Sequence, residues 1–206
     1  YPQGSEKQLI KAVLNINVPL GGLPADVGVA MSNVGTMAAV AMGVMRKVPL
    51  THRVVSVTGG GIANPKNLFV PIGISMGELI DYCGGLTKDA ARVIAGGPMM
   101  GFSFSDMTTP VTKGTSGITV LTHEDTIRGE ETSCVRCGRC VDACAMNLVP
   151  TRLAMAARYN NPALARKYKI NACFECGSCT YVCPANIKLV QLIRTGKAQV
   201  AASMKK

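Results

Sequence analysis

Cys134-Val135-Arg136-Cys137-Gly138-Arg139-Cys140-Val141-Asp142-Ala143-Cys144 and Cys173-Phe174-Glu175-Cys176-Gly177-Ser178-Cys179-Thr180-Tyr181-Val182-Cys183-Pro184 are the stretches that decide how this chain folds. Each reads C-x₂-C-x₂-C-x₃-C, and together they hold eight of the nine cysteines. That spacing is the ligand run of paired 4Fe–4S clusters. Three thiolates two residues apart wrap three corners of a cube, and the fourth, after a longer step, reaches the neighbouring cube. The pattern predicts one cluster on Cys134, Cys137, Cys140 and Cys183, and a second on Cys173, Cys176, Cys179 and Cys144. Gly138, Gly177 and Ser178 are small enough to let backbone N–H groups approach the sulfurs, a contact that helps set the potential. Pro184 closes the second run in the expected way, whereas Ala145 stands at that place in the first.

Other uses of cysteine fit less well. Zinc sites take four ligands, usually as two separated pairs. Disulfides need an oxidising compartment, and no signal-peptide pattern is present. Cys83 lies far from both runs and reads as an inert core thiol.

Charge is distributed unevenly. Residues 1–133 carry 10 Lys+Arg and 10 Asp+Glu, whereas residues 134–206 carry 12 against 2. Two oxidised cubanes with their thiolates, at about −2 each, offset about four of the net +10 charges. The remainder suits an acidic redox partner, a membrane surface or a solvated face. Nucleic acid is disfavoured, because the basic region offers only Tyr159, Tyr168, Phe174 and Tyr181 for stacking. The length of 206 residues allows one to two domains, and the start at Tyr1 without an initiator Met leads us to expect a piece of a longer protein.

Upstream of the cysteines the chain reads as α+β. Tyr1–Lys11 begins a helix. Val27–Met45 is the longest uncharged run, near the length of a membrane span, but Ser32, Asn33, Thr36 and its glycines favour a loop and a buried helix over Gly35–Arg46. Arg53–Thr58 and Asn67–Ile72 are strands about a plain turn at Gly59-Gly60-Gly61. Ser75 and Glu78 form a capping box for a helix that stops at Gly84-Gly85, and Arg92–Ala95 is a further strand. That order suggests a β-grasp module. Met107–Thr122 reads as strand pairs with turns at Pro110 and Gly114, and the polar residues 123–133 as a linker. His52 and His123 read as surface residues. In the cysteine region, Thr151 is positioned to cap one helix, Asn161-Pro162 to open another, and Asn186–Val200 to form an amphipathic third.

With these motifs in hand, YPQGSEKQL, SNVGTMAAV, VTGGGIANPKN, AGGPMMGF, CVRCGRC and CFECGSCTYVCPANI resemble, in order along the chain, the RnfC (RsxC) family, a subunit of the Rnf electron-transport complex. The resemblance implies four segments. Residues 1–47 correspond to the C-terminal part of an α/β FMN/NADH-binding domain. Residues 48–122 form an SLBB-type β-grasp module, 123–133 a linker, and 134–206 a mostly helical, ferredoxin-like two-cluster domain. The family's complex exchanges electrons between ferredoxin and NAD⁺, coupled to Na⁺ or H⁺ translocation. Its RnfC component is peripheral, on the cytoplasmic face of the bacterial inner membrane, beside other subunits that include an iron–sulfur protein.

The first segment also resembles the flavin subunit of respiratory complex I. That likeness implies Tyr1, Gly4 and Glu6 near FMN and nicotinamide, and Asn33 and Thr36 on the flavin phosphate side. Ser5 and Gly35 stand where that relative has glutamates, and this chain does not contain the family's glycine-rich flavin loop. Read alone, Gly4 is a turn residue and Asn33 and Thr36 are helix caps. Two other functions fit similar modules: a soluble flavin/iron–sulfur cobalamin reductase of a bacterial microcompartment, and a non-enzymatic module in which clusters only stiffen the fold.

Overall fold

The computed structural model describes residues 1–127 and 129–204. The chain forms two compact units, Ser32–Ile127 and a second made of Tyr1–Met31 with Arg128–Lys206.

The unit Ser32–Ile127 is built on a five-stranded mixed sheet, β1 (His52–Thr58), β2 (Lys66–Pro71), β3 (Ala90–Ala95), β4 (Phe102–Ser103) and β5 (Gly117–Thr122), in the order β2-β1-β5-β3-β4. β1 runs antiparallel to β2 and parallel to β5, which is antiparallel to β3. The β-branched alternation of β1 sends Val55 and Val57 into the core beside Ile118 and Val120, and leaves Val54 outside. The helix Met76–Tyr82 covers this core with Met76, Leu79 and Ile80. Its capping box is formed: Ser75 Oγ accepts from the Glu78 N–H at 3.2 Å, and Glu78 accepts from the Ser75 N–H at 3.0 Å. Cys83 is fully buried in the same core, as a small apolar residue would be. Gly59 ends β1 at φ 109°, where a Cβ would lie 2.1 Å from the Val120 carbonyl oxygen, so only glycine fits.

Several local expectations are corrected. The helix expected over Gly35–Arg46 spans Val34–Arg46, and none of its residues is buried; Val34 and Met45 are more than four-fifths exposed. Its apolar residues occur all round, so they define no single face to bury. Between Met107 and Thr122 there is one strand, β5, and Pro110 only bridges to Ser75. A short helix, His123–Thr126, capped by Thr122 and Asp125, occupies part of the polar stretch. Among the described residues, no helix is long and apolar enough to cross a membrane.

In the other unit the cysteine region is an internal repeat of 39 residues: Cys134, Cys137, Cys140 and Cys144 recur as Cys173, Cys176, Cys179 and Cys183. The backbone repeats too. Arg136 and Glu175 both have positive φ, as do Gly138 and Gly177, and Asn147 and Asn186. One-turn helices follow each glycine, Arg139–Asp142 and Ser178–Tyr181, and a longer helix closes each half, Pro150–Arg158 and Leu189–Ser203. Between the halves, Asn161 Oδ1 caps the helix Pro162–Lys167, as expected.

Two helix starts differ from expectation. Pro150, with its preset φ, takes the first helical position, so Thr151 lies inside rather than capping. Asn186 is left-handed at φ 53°, which holds the last helix off until Leu189. The two long helices pack where the equivalent small residues Ala157 and Gly196 meet; a Cβ on Gly196 would lie 3.1 Å from that of Ala157. Leu153, Ile170, Ile193 and Val200 are fully or almost fully buried around that crossing.

Candidate iron–sulfur centres

Each ligand loop is shaped by its non-cysteine residues. The left-handed residue before the second cysteine (Arg136, Glu175) and the left-handed glycine after it (Gly138 at φ 82°, Gly177 at φ 86°) curl the chain so that successive thiols turn toward one centre. The third cysteine then enters a one-turn helix, which buries it: Cys140 is 8% and Cys179 7% exposed. The remaining thiols differ between halves. Cys134 and Cys137 are exposed, whereas Cys144, Cys173, Cys176 and Cys183 are half-buried.

The thiols fall into two groups that cross the repeat. Burial pushes the Cys140 thiol up, and the thiols that add to this are Cys183, Cys134 and Cys137. Burial also raises Cys173; the Glu175 N–H and Lys197 oppose the rise, and Cys144 and Cys176 add to it. Cys179 is pushed up to about 12, again by burial first and then by Cys173 and Cys176, with a smaller contribution from Cys144. Cys144, Cys173, Cys176 and Cys179 line one cavity, whose other walls are apolar, including Met146, Leu148, Leu153, Phe174, Val190 and Ile193. Cys183 is not part of that wall. Each fourth cysteine therefore sits with the opposite run.

The donor set suits a four-iron cube: four soft thiols round one cavity with a dry rim and N–H donors aimed at sulfur. The Leu148 N–H donates to Cys144 Sγ at 3.3 Å and the Glu175 N–H to Cys173 Sγ at 3.4 Å. Ser178 Oγ lies 3.5 Å from Cys176 Sγ, so its approach is through the hydroxyl. Among the described residues no three His, Cys, Asp or Glu converge tightly enough for a single metal ion. Thiols around a cube stand farther apart than those around one ion.

Residues not singled out from sequence complete the second centre. Lys197 Nζ donates to the Cys173 carbonyl at 2.6 Å and to Glu175 Oε1 at 2.7 Å, and Arg194 Nε donates to Glu175 Oε2 at 2.8 Å. Thr180 Oγ1 accepts from the Val190 N–H at 2.9 Å, so the ligand loop caps the closing helix. Aligning the two runs at the 39-residue offset would have exposed both, since Glu175 then stands against Arg136 and Thr180 against Val141.

The amino-terminal helix Glu6–Leu14 belongs to the same unit, and its neighbourhood touches the second centre. Tyr1 Oη donates to the Cys176 carbonyl at 2.5 Å, and Gln8 Nε2 to the Ala145 carbonyl at 2.8 Å. Burial and Cys176 raise the Tyr1 hydroxyl above its ordinary range. Of the residues implied for FMN, Tyr1, Gly4 and Glu6 lie in this unit and Asn33 and Thr36 in the other. Asn33 Oδ1 caps its helix by accepting from the Gly35 N–H at 2.9 Å, and Thr36 Oγ1 accepts from Arg53 at 3.4 Å. His52 is exposed and stacks on Phe69, and His123 is exposed at a helix start.

These features define an α+β iron–sulfur protein, and three family models match it in sequence: the Nuo51 FMN-binding domain over residues 1–42, the SLBB domain over 54–103 and the 4Fe-4S dicluster domain over 130–187. The chain is 47% identical, over 98% of its length, to the RnfC-type subunit of the proton-translocating ferredoxin:NAD(+) oxidoreductase complex of Clostridium ljungdahlii. It is 42% identical over its whole length to the Na(+)-translocating counterpart of Acetobacterium woodii. Its identity to the corresponding subunit of the ion-translocating oxidoreductase complex of Rhodobacter capsulatus is also 42%, over 98% of the chain. The alignments cover 45%, 46% and 39% of those proteins, so the chain spans about half the length of the curated relatives it matches or somewhat less. The chain belongs to the RnfC family.

Proposed function

We propose that this chain is the electron-carrying part of the RnfC subunit of an ion-translocating ferredoxin:NAD⁺ oxidoreductase. Two 4Fe–4S clusters would be held by Cys134, Cys137, Cys140 and Cys183, and by Cys173, Cys176, Cys179 and Cys144. The observation that carries this reading is the crossed grouping of the eight thiols, with four of them round one dry cavity. When bound, such clusters accept and release single electrons. The residues of this chain supply the thiolates, the N–H donors from Leu148 and Glu175, and apolar walls that exclude water. No nucleophile or general acid is required of them.

The likeness of residues 1–42 to an FMN-binding domain supports a flavin and NADH site in the whole subunit, with Tyr1, Gly4, Glu6, Asn33 and Thr36 contributing. In that reading the segment boundaries are 1–47, 48–122, 123–133 and 134–206. The partners are the other subunits, an iron–sulfur protein among them, at the cytoplasmic face of the inner membrane. Relatives named for a proton and for Na⁺ match almost equally well, so likeness does not assign the coupling ion.

The test is iron and acid-labile sulfide on anaerobically purified protein. About eight of each per chain is the expected result. Zinc without sulfide would overturn the reading, and clusters that cannot be reduced reversibly would assign them to stiffening the fold.

A further inference from the structure

The second ligand loop carries a charge cluster that the first lacks. Glu175, between Cys173 and Cys176, is bound by both Arg194 and Lys197 from the closing helix. All three side chains are only about a quarter exposed, so their charges are less screened than those of a surface pair. Lys197 also reaches the Cys173 carbonyl at 2.6 Å, which fixes its ammonium group against the ligand loop. The equivalents one repeat earlier are Arg136, Met155 and Arg158. Arg158 pairs with Glu131, outside the first loop, and is half exposed.

We propose that Lys197, clamped in place by Glu175, is a positioning residue that raises the reduction potential of the second cluster. The inference rests on the proposed assignment of Cys173, Cys176, Cys179 and Cys144 as its ligands. Reduction adds one electron, and so one negative charge, to the cluster. A fixed cation beside the loop stabilises that form, and a carboxylate opposes it. The Glu175–Arg194–Lys197 group has a net charge of +1 when intact. Removing Lys197 takes it to zero, and neutralising Glu175 takes it to +2. The two changes therefore push the couple in opposite directions, although both break the same ion pair.

The experiment is a redox titration of the intact protein, reduced with dithionite and followed by electron paramagnetic resonance, with Lys197→Met, Glu175→Gln and Lys197→Arg. The second cluster's signal is assigned beforehand as the one lost in Cys144→Ala. Lys197→Met is expected to lower that couple, Glu175→Gln to raise it, and Lys197→Arg to leave it nearly unchanged, with the other couple fixed throughout. Shifts of the same sign in Met and Gln variants, or no shift, would overturn the proposal by making the clamp purely structural. Should Lys197→Met fail to take up iron, the upward shift in Glu175→Gln decides alone. Iron and sulfide of the unmodified protein are measured first: a count well below eight would indict the ligand assignment rather than the clamp.

Discussion

The two halves of the cysteine repeat share a backbone and differ in what surrounds it. In both, a left-handed residue, a left-handed glycine and a one-turn helix present three thiols, and a fourth crosses to the other half. The first half leaves Cys134 and Cys137 exposed among Arg136 and Arg139. The second is half-buried, lined with apolar side chains, bonded to Tyr1 and fixed by Glu175, Arg194 and Lys197. Ligand spacing therefore decides which cofactor fits, whereas burial and neighbouring charge decide how the two copies behave. An exposed cluster suits exchange with a partner; an enclosed one suits transfer within the chain.

The largest expected effect tests whether the halves really exchange ligands. Cys183→Ala should remove the cluster of the first run and Cys144→Ala that of the second, each leaving about four irons of about eight. Paramagnetic resonance checks the pairing: the spectrum of Cys183→Ala should match that of Cys134→Ala and differ from that of Cys173→Ala. A match between Cys183→Ala and Cys173→Ala would break the crossed arrangement.

Next comes the crossing itself. Gly196 and Ala157 are equivalent positions in contact, and a Cβ on Gly196 would approach Ile170 Cδ1 to 2.8 Å. Gly196→Leu should overpack this seam and cost about 1–3 kcal/mol, read as a lower unfolding midpoint with loss of both clusters together. Loss of one cluster alone would mean that the halves are independent. Gly138→Ala probes a single loop. Nothing lies within 4 Å of the added methyl, so the cost is backbone strain at φ 82°, about 1–2 kcal/mol. It should make the first cluster more labile to chelator and leave the second alone.

The ligand loops, the capped helix Met76–Tyr82 and the strands at 52–58, 66–71 and 90–95 were legible because each rests on local chemistry: thiol spacing, a capping box, β-branched alternation. What escaped depended on non-local partners. Val34–Arg46 is apolar enough for a core, but composition does not tell a helix what it packs against, and every residue in it is at least partly exposed. The last helix starts later than its sequence suggests because Asn186 tolerates the left-handed region, and the turn that repeats Asn147 prevails over its capping tendency. The clamp on Glu175 joins residues about twenty positions apart, a distance no local pattern spans.

The smallest effect lies where the halves differ by one side chain. Thr180 caps the closing helix from within the second loop through the Val190 N–H, whereas its equivalent, Val141, has no hydroxyl to offer and the first closing helix starts on Pro150 instead. Thr180→Val makes the second half resemble the first while nearly conserving volume. It should cost about 1 kcal/mol, the ordinary contribution of one side-chain hydrogen bond at a helix start. The reverse change, Val141→Thr, should gain nothing, because the equivalent of Val190 is Thr151, one residue after the proline. Unfolding midpoints of the two variants check this directly. Equal and opposite shifts would show that the loop-to-helix bond is a general device of the repeat. A fall in Thr180→Val alone would show that it is an adaptation of the enclosed centre, where the helix that carries Arg194 and Lys197 has to be held in register with the loop it tunes.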